Sequence, residues 1–436
     1  MENRLNKKNI IIYCITLVLS ILYIYIGRCV IFKDVTFFAS AGDIRRERAV
    51  VTEIIYAEEL SQEINGETMY LGKDIKFKAK MLSGDLKGEE VEVLQNLDNT
   101  TQGAMKEVNI GDKLLLQTYV NPEIEEELVW YADEFIRLDG IIILGIVFIA
   151  FVIIFGRVKG INTVISLIFT CLAVFLVFIP SILAGANIYL WAIITCIYIT
   201  AMTMLIVYGA NKKSIAATIG CISGTALAGI LTVIMSDILK ITGLMSEETM
   251  YLLYIEGVTI DLVAIIFGAI TVGAIGAVMD VSMSISSSLN EICEVAQKPT
   301  FKMIMKSGIN IGKDMMGTMT NTLILAYIGS SLSAVLLACT YSGSLSHLMN
   351  KEVIVVEILQ GLVGSIGILF TIPFTTFICA MLYIKKGNKE DSREEKETKI
   401  EQKESIDIEA EKEIIKNENM KNTLFIKDEW KNKLDE

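Results

Sequence analysis

The sequence predicts a mostly α-helical polytopic membrane protein of about eight transmembrane helices, with a small β-rich domain after the first helix. Three observations lead to this fold class. Hydrophobic residues make up 53% of the 436 positions, which is typical of multi-span membrane proteins. Apolar runs of about 20 residues, enough to cross a bilayer core, recur from residue 141 onward. A polar stretch with strand periodicity separates them from the first apolar run.

The first apolar run covers residues 9–26 and follows three basic residues. It is predicted to be a retained helix because its length exceeds the roughly 7–15 residues of a signal-peptide core. Gly27, Arg28 and Cys29 also make a poor cleavage site for a signal peptidase. Residues 1–30 are therefore interpreted as an N-terminal signal-anchor helix whose basic end lies in the cytoplasm.

Residues 31–138 are predicted to form an extracytoplasmic β-rich domain. Segments 49–55, 75–81, 90–94 and 113–119 alternate or cluster apolar residues at strand length, and glycine-containing turns separate them. Five or so strands in about ninety residues suit a small barrel or sandwich, with an OB-like barrel as the favoured topology. A role as a spacer is favoured over ligand binding, because no aromatic or basic patch stands out.

Residues 139–384 are predicted to form a seven-helix membrane domain, and residues 385–436 a charged cytoplasmic tail. Lysine and arginine prefer short cytoplasmic loops, and the loop charges place both termini in the cytoplasm of a multi-pass protein of the cell (plasma) membrane. The seven spans are predicted at 141–155, 161–183, 188–208, 215–235, 258–279, 318–338 and 353–383.

Two polar stripes lie on and beside a connector at 280–317, between the spans predicted at 258–279 and 318–338, and this connector is either cytoplasmic or re-entrant. Helical neighbours fall three and four residues apart. A carboxylate in hydrocarbon is costly, so each is by default a functional-site hypothesis. The candidate pathway residues are Asp280, Ser284, Ser287, Ser288, Asn290 and Glu291 in the first segment and Asn310, Asp314, Thr318 and Asn321 in the second, with Asp261 near the outer end.

Simpler interpretations of these residues stay open. Asp280 and Asp314 would cost little at the cytoplasmic water line, and Lys313 favours that position for Asp314. Hydroxyl side chains in membrane helices commonly bond their own backbone. Asn321 is more often an interhelical hydrogen-bond partner than a ligand, and Asp261 is as well placed to cap a helix as to line an entrance.

Two blocks resemble the signatures of a known family. They read GAVMDVSMSISSSLNE at 276–291 and GKDMMGTMTNTLILAYIG at 312–329. Both are similar to blocks of the YibE/F family of bacterial membrane proteins, and the resemblance runs from about residue 50 to about residue 381. It implies a multi-pass membrane protein but brings no substrate or reaction with it.

The favoured function is transport or export of a small solute or ion through a pathway lined by segments 276–291 and 310–322. Their oxygen-rich side chains suit a proton or a hard cation. The alternative is a non-catalytic scaffold or sensor with the β domain as receiver. An enzyme is not expected, because no histidine base and no Gly-x-Ser-x-Gly elbow accompany the serines. His347 is the sole histidine, and no metal or cofactor is predicted.

Expected partners follow from the same composition. The bilayer itself is the first, and a small solute or cation is the second. Lys298, Lys302 and Lys306 recur every four residues with apolar residues between them, the pattern of a helix on anionic lipid. No pattern in the sequence indicates nucleic-acid binding. A homo-oligomer or a protein partner is left open.

Overall fold

The computed structural model describes two compact units, Asp34–Ile161 and Met1–Lys33 with Asn162–Glu436. The predicted tail at 385–436 and Lys298 lie outside the described residues. The description covers residues 7–33, 35, 44–64, 67–98, 106–119, 129–245, 247–255, 258–296 and 299–384.

The first unit contains a closed five-stranded barrel, which confirms the predicted β-rich domain. Its strands are β1 (Ile44–Ile64), β2 (Glu67–Met81), β3 (Glu90–Asp98), β4 (Lys113–Tyr119) and β5 (Trp130–Phe135). Around the barrel they follow the order β1-β2-β3-β5-β4. Neighbouring strands are antiparallel, except that β3 and β5 pair in parallel. Closure leaves no free sheet edge.

Alternation of apolar and polar residues builds the barrel core. Leu114 and Leu116 of β4 point inward and are fully buried, while Lys113 and Tyr119 at the ends of the strand are exposed. Phe77 of β2 is also fully buried, and Trp130 of β5 is 2% exposed. The period of two along each strand therefore places one set of side chains inside the barrel.

A break in α2 explains one pair of predicted spans. The helices α1 (Lys7–Tyr25) and α2 (Leu138–Ala173) are each followed by a π-helical segment, Ile26–Ile31 and Val174–Phe178, and α3 covers Ile179–Leu183. Inside α2, Arg157 has φ 49° and ψ −126°, so two helices meet there. A positive φ is uncommon for a residue other than glycine, and this break falls between the predicted spans 141–155 and 161–183.

The remaining helices of the second unit run from residue 188 to residue 384. Several begin at a polar capping residue: Asn187 accepts the Leu190 N–H at 3.0 Å, and Asn211 accepts the Ser214 N–H at 2.9 Å. The helices are α4 (Ile188–Tyr208), α5 (Lys212–Ile238), α6 (Glu247–Leu252), α7 (Leu262–Val295), α8 (Phe301–Ser330), α9 (Leu332–Tyr341), α10 (Leu345–Met349) and α11 (Glu352–Ile384).

Within the described part of the chain, six helical stretches are long and apolar enough to cross a membrane. The bent pair α8 and α9 would make a seventh. Leu138–Leu183 counts as one of these stretches, whereas two separate spans were predicted there from the sequence. The predicted connector at 280–317 is divided between the ends of α7 and α8, which form a helical hairpin.

α7 lies at the centre of the second unit. Val278, Val281, Ile285 and Leu289 share one core cluster with Ile304 of α8 and with side chains of α11. Glycines let the neighbouring helices approach closely: side chains added at Gly220 and Gly224 of α5 would collide with Thr375 and Thr371 of α11. Small residues at such contacts are typical of helix packing in membranes.

Replacing Phe77 by alanine should lower the free energy of unfolding of the barrel by about 3–5 kcal/mol, because it empties a fully buried ring site. The measurement is denaturant unfolding followed by Trp130 fluorescence, in a chain whose two other tryptophans, Trp191 and Trp430, are phenylalanine. Ile110→Ala is the control, because Ile110 is 66% exposed. Equal losses in the two variants would contradict this core.

Candidate functional site

The exposed face of α7 carries small residues followed by polar residues. Asp261 begins the helix, since its carboxylate accepts the Ala264 N–H at 3.0 Å, so the capping role considered for it is confirmed. Further along, Gly273, Gly276 and Asp280 are exposed. They lie three and seven residues apart and therefore share one stripe. Ser284 and Glu291 continue this stripe and are also exposed.

The depth of Asp280 in the bundle can be measured from a contact between α7 and one end of α5. Ser286 Oγ donates a 2.8 Å hydrogen bond to the Lys213 carbonyl, and Lys212 Nζ donates to the Leu382 carbonyl at 3.2 Å. We call this end, marked by Lys212, Lys213 and Ile384, the lysine end. Asp280 is six residues from Ser286, so it lies about 9 Å deeper into the bundle.

The surroundings of Asp280 are largely apolar. Val278 and Val281 beside it on α7 are buried, and Tyr208 and Cys221 are close enough to interact with its charge. A carboxylate near the centre of a bilayer costs roughly 2.5–3.5 kcal/mol. Asp280 is thus displaced from the lysine end by more than one helical turn, on a face that the described residues leave open.

The other serines and the asparagine of the first segment differ in exposure. Ser287, Ser288 and Asn290 are half-buried, whereas Ser282 and Ser286 are buried. Asn290 Nδ2 donates to Glu294 Oε1 at 2.7 Å, and its Oδ1 accepts from the Tyr383 hydroxyl at 3.0 Å. This amide therefore ties α7 to α11 near the lysine end.

The polar stripe of α8 lies on the side away from α7 and α11. Gly308 and Gly312 form the packed side, since added side chains there would meet Thr376 and Ile372 of α11. Thr318 Oγ1 donates to the Met315 carbonyl at 2.9 Å, as expected for a hydroxyl that bonds its own helix. The predicted pathway residues Asn310, Asp314, Thr318 and Asn321 are all exposed on this side of α8.

A different face of α8 does meet the stripe of α7. The Tyr327 hydroxyl would lie 2.7 Å from a Cβ added at Gly273. Thr320 is seven residues earlier and therefore on the same face of α8 as Tyr327. The Tyr327 hydroxyl and Thr320 Oγ1 are both buried, with no hydrogen-bond partner among the described residues.

A carboxylate that the sequence analysis missed stands beside these hydroxyls. Glu357 of α11 is near Tyr327 and Ser331, and its Oε2 is buried without a hydrogen-bond partner in the described structure. Ser331 separates α8 from α9, whose axes are bent by 65°. The sequence does indicate Glu357 as a candidate, because it is an acidic residue inside the predicted span 353–383 and carboxylates within membrane spans are rare.

We call the aligned groups the polar track: Gly273, Gly276, Asp280 and Ser284 on α7, Thr320 and Tyr327 on α8, and Glu357 on α11. Gly276 has no atom within 4 Å of an added Cβ, so the track is open between Tyr327 and Asp280. From Gly273 to Asp280 it extends about 10 Å along α7. It offers carboxylate and hydroxyl oxygens, the groups that suit protons and hard cations.

The polar track and the core around it lie inside a family match. The family model described as YibE/F-like protein matches residues 144–385, more than half of the chain. The chain belongs to the YibE/F family. The match excludes the barrel strands β1–β5 and includes every polar-track residue of this YibE/F protein. No curated protein and no solved structure matches the chain.

A metal centre finds no support in the part of this YibE/F protein that the structure describes. No group of three or more histidine, cysteine, aspartate or glutamate side chains is placed to hold a metal ion there. Asp280 and Glu357 are instead separate carboxylates at different depths of the bundle.

Gly312→Val should loosen the packing of α8 on α11, because the new side chain would occupy the place of Ile372. Overpacking of this kind costs about 1–3 kcal/mol, so the melting temperature of the purified protein in detergent should fall by several degrees. Gly329→Val on the same helix has open space around it and should melt like the wild type. Identical melting of both variants would refute this packing.

Proposed function

We propose that this YibE/F protein transports a small cation or a proton across the membrane along the polar track. The observation that carries the proposal is the break at Ser331, where two helical segments meet at 65° beside the unpaired Oε2 of Glu357. Discontinuous helices with coordinating groups near the break are a recurrent design of ion-coupled transporters. The role assigned is transport and not catalysis.

Buried hydroxyls without partners support a pathway that contains water or an ion. Leaving a buried hydroxyl unpaired costs about 1–3 kcal/mol. Tyr327 and Thr320 both have such hydroxyls on the face toward the stripe of α7. An ion or water in the track would supply the missing hydrogen bonds and would lower this cost.

The proposed orientation places the lysine end in the cytoplasm of the cell membrane, together with both termini. Lys212 and Lys213 begin α5, directly after the short link from α4, and lysines in or beside short links favour the cytoplasmic side. Under this orientation the barrel is extracytoplasmic, and the track runs from Glu357, nearer the outer end, to Asp280 and the cytoplasm.

Asp280→Asn should lower cation or proton flux by about tenfold or more, because it removes the charge that attracts a cation inside the bundle. Purified protein in proteoliposomes would be tested under imposed Na⁺, K⁺, Mg²⁺ and proton gradients, with equal insertion verified. Asp85→Asn is the matched control, since the Asp85 side chain is 89% exposed in the barrel, outside the track. Unchanged flux in Asp280→Asn would remove this carboxylate from the mechanism.

Gly276→Val tests the track without removing a charge. The valine side chain would enter the open space beside Gly276, so the protein should fold and melt normally while flux falls about tenfold. Gly317→Val places the same side chain in open space on α8, outside the track, and should leave flux unchanged. Wild-type protein that moves none of the tested ions would instead favour the scaffold or sensor alternative.

A further inference from the structure

An apolar groove opens on the surface of the second unit, away from the polar track. It has a volume of about 480 Å³ and lies between α4, α5 and α7, in the range of roughly 300–1,000 Å³ common for ligand pockets. No charged side chain lines it among the described residues. On α5 the lining extends from Ile222 to Ile234, about 18 Å along the helix. One leaflet of a bilayer core is about 15 Å thick, so the groove has the length of one acyl chain.

A polar pocket adjoins this groove at the end of α5 opposite the lysine end. Its volume is about 430 Å³, and the two cavities share Tyr189, Val233 and Phe267. The Tyr189 and Phe267 rings contact each other with their centroids 4.9 Å apart. Tyrosine side chains are enriched at the level of lipid headgroups. With Tyr189 at that level, the pocket would lie at headgroup depth and the groove at acyl-chain depth.

The polar pocket offers partners to a headgroup. Ser236 is 5% exposed, lines the pocket, and its Oγ has no hydrogen-bond partner in the described structure. Asp237 and Lys240 also line the pocket. Lys240 Nζ and Asp237 Oδ1 are 3.9 Å apart, with both side chains largely exposed. The pocket therefore presents the unpartnered Ser236 hydroxyl, one cation and one anion next to the apolar groove.

We propose that α4, α5 and α7 form a binding site for one phospholipid with a zwitterionic, amine-bearing headgroup. One acyl chain fills the apolar groove. The phosphate contacts Lys240 Nζ and Ser236 Oγ, and the ammonium group contacts Asp237. A headgroup with both charges matches the Lys240 and Asp237 pair, whereas a purely anionic headgroup would be repelled by Asp237. The proposal is independent of the transport function.

The test is native mass spectrometry of the full chain, purified from membranes and then exposed to equimolar phosphatidylethanolamine and phosphatidylglycerol. The wild type should retain one phosphatidylethanolamine after detergent exchange. Ala226→Phe places a ring in the groove from an exposed position and should weaken retention about tenfold. Asp237→Asn should shift the preference toward phosphatidylglycerol. Ile219→Phe on α5 lies outside the groove lining and should behave like the wild type.

Three outcomes would overturn the proposal. The first is equal retention of the two lipids by the wild type, which is the behaviour of bulk lipid. The second is undiminished retention in Ala226→Phe, once its melting temperature shows that it is folded. The third is an unchanged lipid preference in Asp237→Asn. A loss of ion flux in proteoliposomes has no bearing on any of these measurements, so the lipid site and the transport function are tested separately.

Discussion

Within a bilayer core, polar groups have no bulk water to bond, and they must find partners in the protein or in what the protein binds. Most hydroxyls of this bundle meet that requirement locally: Ser282 bonds the Val278 carbonyl and Thr371 bonds the Gly367 carbonyl. Nine side-chain oxygens in the described part of the bundle are exceptions, and three of them, the Tyr327 hydroxyl, Thr320 Oγ1 and Glu357 Oε2, belong to the polar track. Unlike the other six, these three accompany an exposed stripe that carries the carboxylate of Asp280. That combination is the physical basis for the polar track.

The close packing of the other helices contrasts with the exposed stripe of α7. α5 meets α11 through Gly220 and Gly224, and α8 meets α11 through Gly308 and Gly312, so these helices approach as near as their backbones allow. Gly276 is exposed, and a Cβ added there would meet no atom within 4 Å, as is also true of Gly317 and Gly329 on α8. Gly276 differs from these two in its place on the stripe of Asp280, one turn away, where a larger side chain would fill the space beside that carboxylate.

Helical periodicity was enough to predict the stripe of Asp280, Ser284 and Glu291, because residues at this spacing share one face of a helix whatever the helix packs against. It could not predict the outward direction of Asn310 and Asp314, which depends on Gly308 and Gly312 facing α11. Glu357 was missed for a related reason. Its significance comes from Tyr327 and Ser331, which are some 26 to 30 positions earlier in the sequence, and single-helix periodicity carries no information about contacts between helices.

The close packing of the helices also restricts where the bundle can change shape at low energetic cost. α7 is held on one side by Phe178 against Gly268 and by Phe267 against Gly229, so rotating it would drive rings into backbone. The segment around Ser331 has no such restraint: α8 ends there, α9 is largely exposed, and the axis already bends by 65°. Hinges form at element ends that absorb backbone rotation. If the proposed transport exposes Glu357 alternately to the two sides of the membrane, movement of α9 would therefore cost less than movement of α7. Asp280 would then stay fixed while its distance to the outer end of the track changes.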